Sequence, residues 1–432
     1  MSKAKKTQIT FHSGLRTIGG TLIEIAYADA RIFFDFGSEY EPSLQPQPET
    51  LQALLDAKLV TYVDHVFDPA IPLTGYPQAD ANPFTQTAVF VSHVHLDHTK
   101  IINYLDPKIP CYALAGTQSL LQTLNINNDF LFPLPQPQAG ETTREVIALA
   151  DNQQVTIGQI QVTVMPVDHD AYGACGLVIE TPDLKIAYTG DLRIHGYRPE
   201  TTFAFCEASR HCDYLIIEGV SVSFQEVESE VSEKGEVDEP ELLARINELV
   251  TNNPQRQLTF NYYVANIERI MQIITTSPRC VVLEAYSAYV LKQATGYDAY
   301  YYQLDDKNYQ LDPSKQIDFA DLLQDTTRFF WQLETAALAY IDDMQAGGMY
   351  IHSNAQPLGE FDPAYAPFVA NLTAHNIEFV VASCSGHAHP RDLMRIIELI
   401  EPRTLVPIHS FKPERLTNRF GSVLLPEKGQ MI

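Results

Sequence analysis

The hydrophobic pattern in the first half of the chain switches between short segments of strand and helix character. Between residues 21 and 37, β-branched and aromatic residues alternate with polar or small ones, which predicts a hairpin that turns at Ala28 and Asp29. The run TAVFVSH predicts a strand, and IPCYALAGTQSLLQTL predicts a strand, a turn and a helix. A further run of strands is predicted over 153–170 and 176–191.

The pattern changes in the second half of the chain. CDYLIIEG predicts one more buried strand, and residues 239–382 then alternate helices with short strands. The longest helix predicted there is FADLLQDTTRFFWQLETAALAYIDDMQ, residues 319–345. The pattern of the first half returns in DLMRIIELI and TLVPIHS. This order predicts a second α/β unit inserted into the first.

Composition narrows the class of protein. The chain has 432 residues, 45% of them hydrophobic, and no apolar run approaches the roughly 18–20 residues of a membrane span. The basic start has no apolar segment behind it, so no secretory signal is expected. The six cysteines form no CxxC pair, which predicts reduced thiols and a cytoplasmic location without a membrane partner.

The charge is strongly acidic. The 54 acidic and 29 basic residues give a net charge of -25, which repels polyanions at long range. A nucleic-acid substrate would therefore need local positive charge, which bound metal can supply. Residues 225–241 hold eight acids and one lysine, which predicts a solvated loop, with an acidic interaction segment as the alternative.

The stretch VSHVHLDHTK contains a dense set of metal-type ligands. His93 and His95 stand two apart at a predicted strand end, where their side chains point to the same side and can share one ion. Asp97 and His98 lie where the chain turns into a helix and can face a second ion. Imidazole and carboxylate together suit zinc, with manganese or iron as alternatives, and a chance polar loop is the competing interpretation.

Further ligands are expected at later strand ends. His169, in MPVDHDAYG, closes an alternating strand, where a third imidazole would be needed. A core histidine bonded to backbone is the alternative. Asp191, in IAYTGDLR, ends an apolar strand at a glycine turn, as a bridging carboxylate would.

This order of motifs resembles the metallo-β-lactamase fold superfamily, over residues from about 8 to 218. The resemblance implies an αββα sandwich with a dinuclear metal site at its edge. It implies that one metal is held by His93, His95 and His169, and that the other is held by Asp97 and His98, with Asp191 bridging the two.

Three later segments resemble the extra motifs of the β-CASP nucleases, which include ribonuclease J and the endonuclease subunit of the cleavage-and-polyadenylation complex. They are LIIEG with Glu218, ASCSGHAHPRDL with His387, and LVPIHSF with His409. TFNYYVANIERIMQII also resembles a ribonuclease J segment through Asn266 and Arg269. The implied architecture is α/β: an αββα metallo-β-lactamase sandwich over 1–219 and 383–432, with an inserted α/β β-CASP domain over 220–382.

The resemblance also implies roles. His409 would complete the shell of the second metal, and Asp97, Glu218 and His387 would be catalytic. His387 would contact a phosphate oxygen or protonate the leaving oxygen, with Glu218 orienting its ring. Ser385 and the backbone at Gly386 would bind the substrate phosphate. An ordinary loop at SGHA, and a salt-bridge role for Glu218, are the alternatives.

The sequence departs from ribonuclease J at the last motif, where Ser410 replaces the usual glycine. With 23 residues after His409, that group's further C-terminal domain is not expected. A histidine at position 409 favours RNA over DNA by analogy. The basic residues Lys412, Arg415, Arg419, Arg391 and Arg395 would form a basic rim at the site, or are ordinary surface charges.

The sequence therefore predicts a cytoplasmic hydrolase that cleaves single-stranded RNA. It predicts two divalent ions, zinc or else manganese, and leaves open whether the protein forms a homo-oligomer. The alternative is a small-molecule hydrolase of phosphodiesterase, lactonase or thioesterase type, which the acidic charge favours. A non-catalytic scaffold subunit is a third hypothesis, opposed by the complete ligand set.

Overall fold

The structure is a computed structural model of the full chain. The residues it describes are 5–39, 41, 44, 46–227, 238–360 and 362–432. These residues divide into two compact units. The first contains the described residues up to 194, 198–227 and 386–432, and the second contains 195–197 and 238–385.

Strands and helices alternate along much of the chain. The strands are β1 (Gln8–Ser13), β2 (Leu22–Tyr27), β3 (Ala30–Phe34), β4 (Gln86–Phe90), β5 (Cys111–Leu114), β6 (Ile147–Leu149), β7 (Gln153–Ile157), β8 (Ile160–Pro166), β9 (Cys175–Glu180), β10 (Lys185–Tyr188), β11 (Tyr214–Glu218), β12 (Leu258–Tyr262), β13 (Cys280–Glu284), β14 (Tyr300–Tyr302), β15 (Phe329–Gln332), β16 (Met349–Ser353), β17 (Glu378–Val381), β18 (Thr404–Ile408), β19 (Ser422–Val423) and β20 (Gln430–Met431). The α-helices are α1 (Leu51–Asp56), α2 (Leu96–Thr99), α3 (Ala115–Leu124), α4 (Pro199–Ala208), α5 (Glu239–Asn252), α6 (Ile267–Thr276), α7 (Ala285–Thr295), α8 (Phe319–Gln324), α9 (Tyr365–Ala374) and α10 (Pro390–Ile400). Short 3₁₀ helices cover Ile102–Tyr104, Ser221–Ser223, Pro313–Lys315, Thr335–Asp343 and Pro413–Arg415.

The first unit is built on two sheets of seven strands each. Their orders are β20-β1-β2-β3-β4-β5-β6 and β19-β18-β11-β10-β9-β8-β7. One apolar cluster joins the facing sides of both sheets, with Phe11 and Phe34 from the first and Val162 and Ile179 from the second. The helices α4 and α10 cover the outer face of the second sheet through a separate cluster, and α3 lies against β5 and β6. This arrangement is an α/β sandwich of the metallo-β-lactamase type that the sequence predicts.

The hairpin predicted over residues 21–37 is confirmed as β2 and β3, joined at Ala28, which adopts a positive φ of 61°. The direction of the strands then determines where the site can form. In the first sheet β3 to β6 run parallel, and in the second β10, β11 and β18 run parallel. The carboxyl ends of parallel strands meet at one edge of a sheet, so residues that follow these strands come together.

The second unit contains a parallel sheet of six strands in the order β14-β13-β15-β12-β16-β17. The long helix predicted over 319–345 is wrong. Helix α8 ends at Gln324, the carboxylate of Asp325 accepts the N–H groups of Thr327 and Arg328, and FFWQ then forms the buried strand β15 between β13 and β12. Aromatic residues favour such a strand, and its partners are distant in sequence, so a local pattern does not reveal it.

The acidic segment 225–241 lies partly outside the described residues, which omit 228–237. Of the rest, Glu239 is not solvated: it is fully buried and forms an ion pair with Arg269, with Oε1 2.7 Å from Nη2. Asn266 caps α6 by accepting the Arg269 N–H at 3.1 Å. Asn266 and Arg269, the two residues that resemble the ribonuclease J segment, therefore stabilise the interior of the second unit.

Candidate metal centre

The ligand-type residues lie directly after strands of the first unit. His93 follows β4, His95 directly precedes α2, and Asp97 and His98 lie within that helix. The remaining members come from the second sheet: His169 after β8, Asp191 after β10, and His409 after β18. Strand β8 is antiparallel to β9, which is antiparallel to β10, so β8 runs in the direction of β10. The strand directions therefore bring all seven predicted ligands to one place.

These residues form two groups that share Asp191. In each group, one candidate ligand atom from every member lies within 4.8 Å of the others; the groups are His93, His95, His169 and Asp191, and Asp97, His98, Asp191 and His409. Asp191 Oδ2 lies 3.6 Å from His93 Nε2 and 3.2 Å from His98 Nε2. Ligands on a tetrahedral zinc ion with bonds of 2.0–2.2 Å are about 3.3–3.5 Å apart, so this spacing fits a cation.

Buried polar atoms in the centre give a second test of that fit. Among the described residues, the buried Nε2 atoms of His93, His98 and His409 and the buried Asp191 Oδ2 make no hydrogen bond of ordinary geometry, although a carboxylate oxygen lies 3.2–3.6 Å from each ring nitrogen. Buried polar atoms are ordinarily satisfied, and a divalent cation satisfies imidazole nitrogens and carboxylates together. The two groups therefore fit bound metal.

Protonation differs between the two groups. Burial and neighbouring imidazoles lower the pKa of His93 well below its usual range and that of His169 to about 3, so both rings are neutral, as ligands must be. Burial also acts on His409, but Asp191 and Asp97 outweigh it and raise that pKa to about 10. The carboxylates of the second group thus favour a positive charge beside them. A protonated imidazole carries that charge here, and a bound cation would replace it.

A layer of hydrogen bonds orients the ligand rings through their outer nitrogens. His98 Nδ1 lies 2.8 Å from Asp35 Oδ2, His93 Nδ1 2.9 Å from Ser92 Oγ, and His169 Nδ1 donates to the Gly386 carbonyl at 2.6 Å. Asp35 also accepts the Tyr188 hydroxyl and the Ser92 N–H. Such partners fix the ring orientation of metal-binding histidines.

Sequence reasoning missed Asp35 and Asp170. Asp35 lies directly after β3, at the same sheet edge as His93. This position after a strand could have marked Asp35 as part of the site. Asp170 follows His169, and its Oδ1 lies 3.3 Å from His169 Nε2 and 3.5 Å from His95 Nε2. A side chain at Gly386 would meet the Asp170 carboxylate at 2.4 Å, which explains the glycine there.

The residues of the later motifs lie as follows. His387 Nδ1 is 3.5 Å from Glu218 Oε1 and 3.7 Å from Asp191 Oδ2. Burial lowers the pKa of His387, but Glu218 and Asp191 raise it to about 9. The Gly386 carbonyl serves His169, whereas Ser385 belongs to the second unit, where its carbonyl accepts from His195 Nε2 at 2.9 Å.

The position that departs from ribonuclease J is also accommodated. Ser410 is fully buried, and its hydroxyl lies 3.1 Å from that of Ser223. A Cβ at Gly219 would lie 3.0 Å from the Ser410 side chain, so the glycine at 219 leaves the space that the serine needs. His409 itself adopts a positive φ of 51°.

Two of the five basic residues proposed as a rim are paired with acids. Arg415 forms an ion pair with Glu226, and Arg419 lies 3.2 Å from Glu398. These pairs favour the interpretation of the basic residues as ordinary surface charges.

Among the described residues, no helix has the length and apolarity required to cross a membrane. Each of the six cysteines is a free thiol.

Comparisons with known proteins agree with this geometry. A family model described as "Beta-lactamase superfamily domain" matches residues 61–246. A solved structure described as "Crystal Structure of a Protein of Unknown Function from Enterococcus faecalis V583" is 47% identical, with a TM-score of 0.93 and coverage of 99% of this chain and 100% of that chain. No curated protein matches.

The fold, the ligand groups and the superfamily match together indicate a metal-dependent hydrolase of the metallo-β-lactamase fold. More particularly, the chain belongs to the same family as the Enterococcus faecalis protein of unknown function.

Proposed function

We propose that the protein is a ribonuclease of the β-CASP group that hydrolyses phosphodiester bonds of single-stranded RNA with two divalent ions. The observation that carries the proposal is the position of His387, whose Nδ1 lies between the carboxylates of Asp191 and Glu218 at 3.7 and 3.5 Å. Phosphodiester hydrolysis requires a proton for the leaving oxygen beside the place where charge is neutralised. We infer that His387 supplies this proton.

The residues of each group favour zinc, with manganese as the alternative. His93, His95 and His169 supply three imidazoles to the first ion, and the second group combines two imidazoles with Asp97 and the shared Asp191. Divalent ions held there would supply Lewis-acid stabilisation of the phosphate charge and lower the pKa of a water molecule.

Side chains of the chain itself would do the remaining work. Glu218 Oε2 accepts the Val220 N–H at 2.8 Å, which fixes the carboxylate with Oε1 towards His387. The His387 side chain is 23% exposed, so its ring can reach a substrate while Glu218 orients it. Asp97 is the more exposed of the two carboxylates in the second group, at 24%.

Other parts of the proposal extend the sequence predictions. The inserted β-CASP domain over 220–382, substrate contacts by Ser385 and Gly386, a cytoplasmic location and a homo-oligomer belong to it. The six-stranded parallel sheet of the second unit and the free thiols of the six cysteines are compatible with it.

A small-molecule hydrolase using the same centre is the second candidate. The net charge of -25 favours it, and so do the ion pairs that neutralise Arg415 and Arg419. A protein that tracks a nucleic-acid backbone normally presents uncompensated basic residues.

The test is cleavage of an end-labelled single-stranded RNA by the protein loaded with zinc or manganese, with Asp97→Ala as the inactive control. We expect metal-dependent products that the control does not form, and their lengths will distinguish cleavage from an end and internal cleavage. A protein that holds two metals and leaves the RNA intact, but hydrolyses a lactone or a small phosphodiester, would establish the second candidate.

A further inference from the structure

Two large aromatic side chains project into solvent beside the metal centre. Phe224 is 70% exposed and Phe411 is 48% exposed, and their rings meet edge to face with centroids 6.2 Å apart. The contact between the two rings buries little apolar surface, and most of each ring stays in water. Packing in a hydrophobic core therefore does not account for these residues. We refer to Phe224 and Phe411 as the aromatic pair.

The aromatic pair is tied to the catalytic residues by short lengths of chain. Phe411 stands two residues after His409, which places their Cα atoms within about 7 Å of each other. Phe224 stands six residues after Glu218, just beyond the 3₁₀ helix Ser221–Ser223. Both rings therefore lie on the loops that follow Glu218 and His409.

Hydrogen bonds hold the two loops in register. The Phe411 N–H donates to Ser223 Oγ at 2.9 Å, and that oxygen lies 3.1 Å from Ser410 Oγ. Arg415 donates to the Val222 carbonyl at 2.7 Å. The pair is thus preorganised, and ordering it on binding would cost little conformational entropy.

Two of the arginines near the pair are paired with acids, while Lys412 beside Phe411 is exposed. Arg415 is paired with Glu226, and Arg16 Nη1 lies 2.9 Å from Glu414 Oε2. Within a chain of net charge -25, attraction to a phosphate backbone is therefore weak. Stacking of bases on aromatic rings does not depend on such attraction and is effective for single strands of any sequence.

We propose that the aromatic pair binds a base of the RNA next to the scissile bond, so that this acidic protein takes its substrate through bases rather than through backbone charge. The inference rests on the proposed ribonuclease function, whose substrate recognition it specifies. It also predicts that the affinity falls much less with salt than the roughly 10³- to 10⁵-fold loss of a protein with many phosphate contacts between 50 and 200 mM.

The experiment measures binding by fluorescence anisotropy of labelled oligouridylate, and of a matched oligomer with abasic nucleotides. The full-length, metal-loaded protein carries His387→Ala to slow cleavage without removing a metal ligand, alone or with F224A and F411A together. Phe420, which is 38% exposed in the same unit, provides the control F420A. We expect about a 10-fold or larger loss of affinity for oligouridylate in the pair variant. We expect no change with the abasic oligomer or with F420A.

Replacing both phenylalanines by tryptophan should retain the affinity for RNA, which guards against a misfolded alanine variant.

Equal affinities for RNA with and without the aromatic pair would overturn the inference, as would an absence of any RNA binding. A shift of the pair variant from dimer to monomer with unchanged RNA affinity would also overturn it and would assign the pair to contact between two copies of the chain. If the protein cleaves RNA but binds it equally well without the aromatic pair, the inference is wrong and the proposed ribonuclease function stands. If binding depends on the aromatic pair but the wild-type protein does not cleave RNA, the inference stands and the proposed ribonuclease function is wrong.

Discussion

Two buried polar clusters, one in each unit, are satisfied in opposite ways. At the metal centre of the first unit, nitrogen atoms of His93, His98 and His409 converge without a hydrogen bond of ordinary geometry among the described residues. In the second unit, Arg269 donates to both oxygens of Glu239, at 3.0 and 2.7 Å, and to further acceptors around it. Both sets are buried, but only the first requires something from outside the chain.

This difference separates function from structure. A buried group that is satisfied by its neighbours specifies how the chain packs, whereas convergent buried groups without partners indicate a bound cation. The sequence contains motifs of both kinds, with similar resemblance to nucleases. The geometry distinguishes the histidines of the centre from Arg269, which lies in the interior of its own unit.

The largest effect should come from His387, which would act on substrate without holding metal. His387→Ala should reduce the turnover of RNA by about 10²- to 10⁴-fold, because proton delivery to the leaving oxygen is lost. Metal content, measured by mass spectrometry on the same sample, should stay at the wild-type value. The matched control is His375→Ala, at the end of α9 in the second unit. A loss of metal that parallels the loss of turnover would instead make His387 a ligand.

Removing one partner of the buried ion pair in the second unit should affect stability rather than chemistry. Arg269→Met leaves Glu239 buried without its charge partner, which should cost about 3–5 kcal/mol in the free energy of unfolding. Trp331, the single tryptophan, is buried in β15 and reports on this unit by its fluorescence in urea.

The double variant Glu239→Gln with Arg269→Met should recover part of that loss, because no unpaired charge remains buried. Zinc binding by the first unit should be unchanged in both variants. If Arg269→Met left the urea midpoint of Trp331 fluorescence in place, the assignment of this pair to structure would be wrong.

Asp35 should have an intermediate effect, because it acts on the centre through His98. Asp35→Asn removes the carboxylate that accepts from His98 Nδ1 and from the Tyr188 hydroxyl, and metal affinity should fall by roughly 10- to 100-fold. Competition with a chromophoric chelator measures it. The exposed Asp151→Asn is the control, and equal affinities of the two variants would exclude a role for Asp35 in orienting the ligand.

The smallest effect concerns the pH dependence of the second unit. Burial, together with Glu334 and Asp305, raises the pKa of Glu284 from its ordinary 4.5 to about 7, although the Tyr286 N–H lowers it. The folded chain therefore binds the proton more tightly than the unfolded chain, and stability should fall as pH rises from 4.5 to 7. After solvent screening we expect a loss of about 1 kcal/mol.

Glu284→Gln should remove this pH dependence, because it keeps an oxygen that can cap α7 but carries no charge. Urea unfolding followed through Trp331 at pH 5 and pH 8 measures it. A wild-type protein more stable at pH 8 than at pH 5, by an amount that the variant does not change, would contradict the assignment.

The sequence was most informative where the spacing is local. His93, His95, Asp97 and His98 were predicted from their positions at one strand end, and the structure brings them together with His169, Asp191 and His409. Their roles, like the predicted domain boundaries and the substrate, stay predictions. The fold as an α/β sandwich of the metallo-β-lactamase type was predicted from the order of these motifs.

Other features depend on contacts that no local pattern shows. Asp35 is a lone acid after a strand, and its importance follows only from the ring of His98 in space. Gly386 is required by Asp170, which is distant in the chain. Strand β15 was hidden within a stretch of helical character, because its partners β12 and β13 lie far away in sequence.

The central claim is that the convergent histidines and carboxylates of the first unit hold two divalent ions. The direct measurement is the number of zinc ions retained per chain after equilibrium dialysis, for the wild type and for Asp191→Asn, which removes a carboxylate oxygen shared by both groups. We predict two ions in the wild type and fewer than one in the variant at the same free zinc concentration. A wild-type chain that retains no zinc and no manganese, or a variant that retains both ions, would contradict the account.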